Sequence, residues 1–144
     1  MNHRVFQFTV TAAALLVLDG CAAPKASDTL ASAASWSAMA GEVVTERADG
    51  ALTRPFTSDA LGAAADGLDG IATQLDSAAD LDAATRQAAS RDARARAADA
   101  RQLARASELD EVAARPFAAS ADRFRAIAEQ RKAAERRSPS GGSP

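Results

Sequence analysis

Alanine dominates this chain, and that abundance restricts its fold more than any other feature. From Cys21 to Pro144 there are 37 Ala and only 18 large apolar residues (Leu, Ile, Val, Met, Phe, Trp). Alanine loses no side-chain entropy in a helix and is the best helix former. The β-branched and aromatic residues that suit a pleated, half-buried strand are sparse. An all-α protein follows. Its core must be thin, because a buried large side chain contributes about 1.5–3 kcal/mol and a methyl group far less. Close helix approach over alanine faces, or oligomerisation, would offset the deficit.

Apolar spacing divides the body into helices. Leu30, Ala33, Ala34, Trp36, Ala40, Val43 and Val44 recur at helical intervals. They predict a first helix from Ser27 or Asp28 to about Arg47, with Asp49-Gly50 as its stop. Residues 49–56 read as a linker, and a second helix begins near Pro55 or Ser58. Its stripe of Leu61, Ala64, Ala65, Leu68, Ile71, Ala72, Leu75, Ala78 and Ala79 is close to a heptad seam. Gly62, Gly67 and Gly70 in this helix point to close approach of a neighbour. Ser77-Ala78-Ala79 is the expected turn, with Asp80 capping a third helix that runs toward Ala113 on Ala84, Ala88, Ala95 and Ala98. Arg115-Pro116 breaks the chain. A fourth helix then turns Phe117, Ala121, Phe124, Ile127, Ala128 and Ala134 inward. Arg54-Pro55-Phe56 and Arg115-Pro116-Phe117 are the same tripeptide, read as two independent helix starts with Phe packed inward.

The expected architecture is an antiparallel three- or four-helix up-down bundle over residues 28–137, with a disordered tail at 138–144.

Charge is unevenly placed. Residues 28–82 hold ten acidic and two basic residues, and residues 83–137 hold eight acidic and thirteen basic. If helices two and three fold back at Asp80–Asp82, facing residues have numbers summing to about 161. Asp76 then faces Arg86, Asp69 faces Arg91, Asp66 faces Arg94 or Arg96, and Asp59 faces Arg101. Such pairs specify antiparallel pairing more than they stabilise it.

Absent residue types exclude several chemistries. After the first twenty residues there is no His, no Tyr and no Cys except Cys21. Triad catalysis, the usual zinc sites and His-ligated haem are thereby removed, and no Gly-rich phosphate loop is present. The row Asp66, Asp69, Asp76 and Asp80 does not have calcium-loop spacing, so no metal and no cofactor are expected. The arginine run lacks aromatic stacking partners and is interleaved with acids, which argues against nucleic acid and leaves anionic lipid or a protein partner. Trp36 is read as core, with a bilayer-surface position as the alternative.

The first twenty residues read as a targeting segment. Arg4 supplies a basic start, and Val5–Leu18 is an apolar run of roughly 14 residues, short of the roughly 20 that span a bilayer. Leu18-Asp19-Gly20-Cys21 resembles the lipobox of bacterial lipoproteins, with Asp19 departing from the usual small or apolar residue. The resemblance covers residues 1–21. It implies a signal peptide at 1–20, a lipidated (palmitate-bearing) Cys21, a tether at 21–27 and a membrane-anchored chain in the cell envelope. Ala22 implies the outer membrane, facing the periplasm, in a Gram-negative host. The expected function is non-catalytic: a helical surface presented to a protein partner or to a second copy. The alternatives are a small-molecule or lipid carrier with a cavity between helices, and an enzyme working through carboxylates alone.

Overall fold

The computed structural model describes residues 24–137. Cys21, the signal segment and the tail at 138–144 lie outside the described residues. The described chain is all-helical and forms a helical bundle of four helices: α1 (Ala26–Ala48), α2 (Arg54–Asp76), α3 (Ala83–Arg105) and α4 (Arg115–Arg137). A short 3-10 turn, Glu111–Ala114, precedes α4. Each helix has 23 residues, or about 34 Å at 1.5 Å per residue, so their ends lie nearly flush.

Local chemistry sets the boundaries. Gly50 takes a left-handed φ of 76°. The Ala51 amide then donates to Glu46 O (2.8 Å) and the Gly50 amide to Arg47 O (3.1 Å), the paired bonds of a Schellman stop. Pro55 sits in the first turn of α2, where a missing N–H costs nothing.

The sequence placed the α3 cap at Asp80, but Asp82 holds it, accepting from the Thr85 amide at 2.9 Å. Asp80 instead reaches the other end of the chain order: it accepts from the Ala26 amide at 3.1 Å and so caps α1. Helix α3 also stops at Arg105, well before Ala113. Ala106 is extended, and Asp110 takes the Val112 amide at 2.8 Å to start the 3-10 turn. A continued helix would carry Leu109 past the end of α2. The turn brings Leu109 back against the core instead.

Chain direction alternates through the bundle. Around α1's start, Ala26 and Leu30 pack with Ile71, Leu75, Leu81, Ala89, Phe124 and Ala128. Toward α1's end, Val43 and Val44 pack with Leu61, Leu68, Ala97, Ala100 and Phe117. Trp36 touches both groups. The closest associations are α2 with α3 and α1 with α4, joined through the α1–α2 face, while α3 and α4 meet only lightly.

The two central helices divide the work. The α2 stripe is buried from Leu61 through Leu75, whereas Ala78 and Ala79 fall beyond the helix. Opposite it, α3 buries only Ala89, Ser90, Ala93, Ala97 and Ala100. The expected stripe of Ala84, Ala88, Ala95 and Ala98 is exposed. With no large apolar residue to select a face, two alanine stripes compete. The buried one is continuous with the half-buried Leu103 and Ala104.

Two further positions expected to face inward are also corrected. Ala134 is exposed, because α4 runs past the last core layer at Ala128. Phe56 is 55% exposed while Phe117 is fully buried, so the repeated tripeptide does not repeat its packing; Thr57 takes the inward place in α2.

Among the glycines, a Cβ at Gly67 would lie 2.6 Å from Trp36 Cε2, so this residue does admit a neighbour. Gly62 and Gly70 have open space around them and admit none.

Candidate functional site

Polar features concentrate in three places: the α2–α3 face, a node between α3 and α4, and a groove beside α1. On the α2–α3 face, Arg101 contacts Asp69 (2.6 Å) and Asp66 (3.0 Å), and Arg94 pairs with Asp76. Arg86 donates instead to the Ala78 carbonyl (3.3 Å), and Arg91 donates to Gln87 on its own helix (3.3 Å). Asp59 has no ion pair among the described residues.

The expected pairings Asp76–Arg86, Asp69–Arg91, Asp66 with Arg94 or Arg96, and Asp59–Arg101 are therefore not the ones formed; Arg96 pairs with Asp99 on its own helix (2.8 Å). Backbone register is not the cause. Ser90 Oγ donates to Ala72 O (3.3 Å), a level whose numbers sum to within one of the expected value. The cause is side-chain direction. Helical side chains lean toward their own N-terminus. In an antiparallel pair, the aspartates of α2 and the arginines of α3 lean past each other and meet partners six to nine positions out of level.

These pairs shift ionisation in the direction their geometry requires. Hydrogen bonding by Ser90 and then Arg94 holds the Asp76 carboxyl below its ordinary value. Asp69, then Asp66, raises that of Arg101. Thr85 lowers that of Asp82.

The node centres on Asp92, which the sequence reading missed. Asp92 Oδ1 accepts from Ser120 Oγ (2.9 Å), and Arg123 donates to both carboxylate oxygens from α4 (2.9–3.1 Å). Ser120 is fully buried, so this bond satisfies a hydroxyl that water cannot reach. Arg96 lies alongside, its guanidinium 5.9 Å from the Phe117 ring centre. Had Ala89, Ala93, Ala97 and Ala100 been read as the inward stripe, Asp92 and Arg96 would have stood beside it as inter-helix candidates.

The groove runs between α1, the 3-10 turn and the start of α4, with a volume of about 450 Å³. Its floor is Ala38, Gly41, Ala114, Ala118 and Ala121. It exists because these residues have almost no side chain. A Cβ on Gly41 would lie 3.4 Å from Phe117 Cβ and 3.6 Å from Ala114 O, so α1 and α4 nearly touch beneath it. Glu42, Asp110, Glu111 and Asp122 rim it against Arg115 and Arg125, a balance of two negative charges. Asp122 and Arg125 pair at 2.9 Å. Val112 stands at its edge, 53% exposed. The carboxylates of the groove are exposed, and the Thr45 hydroxyl on its wall donates to Gly41 O (3.1 Å).

Among the described residues, no group of three or more His, Cys, Asp or Glu is placed to hold a metal ion. No described helix is long and apolar enough to cross a membrane. Comparison with protein-family profiles, with characterised proteins and with solved structures finds no match to this chain.

Proposed function

We propose that this chain is a lipid-anchored envelope protein, cut before Cys21 and acylated on it. It works without a catalytic centre, by presenting the far end of its bundle to a protein partner or to a second copy of itself. In a Gram-negative host the anchor lies in the outer membrane and the bundle in the periplasm.

One spatial relation carries this reading. Four residues separate Cys21 from the buried Ala26 at the head of α1, so the tether holds that end of the bundle at the membrane. The groove opens along the second half of α1, and Val112 and Phe56, the exposed large apolar residues, both lie toward the opposite end. The surface best suited to a partner therefore faces away from the lipid. Buried polar side chains among the described residues are Ser and Thr, with no Asp or Glu. Acid–base chemistry on carboxylates needs burial or a close like charge. The groove is open and charge-rimmed, which favours a protein surface over an enclosed small molecule or lipid as its occupant.

Cys21→Ser should abolish incorporation of labelled fatty acid and release the protein from the membrane fraction; normal acylation of that variant rejects the anchor. A photo-crosslinking residue at Val112 should give one discrete adduct in intact cells, and the same residue at Arg91 should give none. Equal adducts from both positions, or none from either, reject the surface role.

A further inference from the structure

The fold brings three parts of the chain together at the tethered end. Asp80, in the turn between α2 and α3, accepts from the Ala26 amide at 3.1 Å and stands 3.8 Å from Arg131 of α4. The head of α1, the α2–α3 turn and the last turns of α4 thus share one end. Beyond Arg131, α4 continues for six residues, or about 9 Å. That extension carries Lys132, Arg136 and Arg137 against one acid, Glu135. Lys25 stands at the head of α1.

Three acids of this end are engaged within the protein, while Asp28, Glu129 and Glu135 are exposed without an ion pair among the described residues. Asp80 binds Ala26 and Arg131, Asp76 binds Arg94, and Asp82 caps α3. Lys25, Lys132, Arg136 and Arg137 have no ion pair among the described residues. Attraction to the α4 dipole accounts for cations in its last turn. It does not account for their sharing an end with the acylation site, a relation that only the tertiary fold creates.

The five residue-to-residue steps from Cys21 to Ala26 span at most about 18 Å. An acylated Cys21 therefore keeps these cations close to the headgroups, where a negative surface potential acts within about a Debye length. We infer that the C-terminal end of α4, together with Lys25, rests on the anionic phospholipid of the anchoring leaflet. Resting on the proposed lipid anchor, this contact is a second point of attachment. Acyl chains already supply retention, so the basic contact fixes orientation: it stands the bundle on end and holds the groove out from the membrane. Each Lys or Arg at an anionic surface is worth about a fivefold preference.

The test uses the full acylated chain carrying Ala134→Cys, an exposed site, labelled with a fluorophore. Vesicles of phosphatidylcholine, or of an equal mixture with phosphatidylglycerol, include a headgroup spin-labelled quencher lipid. Quenching should be several-fold stronger in the mixture. It should fall to the phosphatidylcholine level in high salt and in the triple variant Lys132→Glu, Arg136→Glu, Arg137→Glu, whose helicity is checked by circular dichroism. Reversing Arg91 and Arg105 instead should change nothing. Equal quenching in both vesicle types overturns the inference while leaving the anchor intact. A chain whose Cys21 also takes the label and that fails to enter vesicles overturns the anchor itself.

Discussion

Replacing Gly67 by alanine sets two effects against each other at one atom. Mid-helix glycine costs about 0.5–1 kcal/mol relative to alanine, so on backbone grounds alone the change stabilises. The new Cβ would lie 2.6 Å from Trp36 Cε2, 2.9 Å from Cδ2 and 2.9 Å from Nε1. All three atoms belong to one rigid ring, which cannot yield by bending a flexible tip. The indole must shift as a body, and it packs against both halves of the core. Overpacking of that kind costs about 1–3 kcal/mol. The clash wins, and Gly67→Ala should destabilise by up to about 2.5 kcal/mol, the difference between those two ranges. Gly62→Ala and Gly70→Ala meet open space and should each stabilise by about 0.5–1 kcal/mol. In a chain of this size each kcal/mol moves Tm by about 3–6 °C, so thermal melts separate the variants. Trp36 is the sole tryptophan, and its emission should shift in Gly67→Ala and stay unchanged in the other two. A Gly67→Ala protein as stable as Gly62→Ala, with unshifted emission, would refute the reasoning.

Asp92→Ala should destabilise by about 1–3 kcal/mol, because it removes the acceptor of the buried Ser120 O–H, whose oxygen keeps only the Arg123 bond; urea unfolding measures the loss, and adding Ser120→Ala should recover part of it. A double-mutant cycle between Asp69 and Arg101 should give a favourable coupling, whereas one between Asp69 and Arg91 should give none. Asp76 and Asp82 have lowered pKa values in the folded chain. Their stabilisation is fully present above the unfolded value of about 4 and is lost as pH falls through the lower folded values. Tm should decline more shallowly in acid for Asp76→Asn with Asp82→Asn than for the parent, and superimposable pH profiles would count against it.

The elements that could be read from the sequence are those where one face carries large side chains. Leu61, Leu68, Ile71 and Leu75 leave α2 a single inward face, and Asp49-Gly50 leaves α1 a single place to stop. The reading failed where alanine stands alone. On α3, Ala84, Ala88, Ala95 and Ala98 match helical spacing as well as Ala89, Ala93, Ala97 and Ala100 do, so periodicity cannot choose between them. Choosing the wrong stripe hid Asp92 and Arg96. The ion pairs failed for a different reason: counting residues gives backbone levels, while the oppositely leaning Asp and Arg side chains together meet six to nine positions away from level. The groove had no signature in advance, because it is defined by what Gly41 and its alanine neighbours lack.

The light contact between α3 and α4 makes the bundle mechanically uneven. Two well-packed leaves, α2 with α3 and α1 with α4, are bound along the α1–α2 spine and fastened at the free edge by Asp92, Ser120 and Arg123. The easiest distortion of such a body is for the leaves to part at that edge while the spine holds. Parting them uncovers Phe117 and Phe124, the two largest fully buried side chains. The four helices thus keep their two largest buried side chains behind an edge held by the Asp92 node and, near the head of α1, by Arg131 beside Asp80.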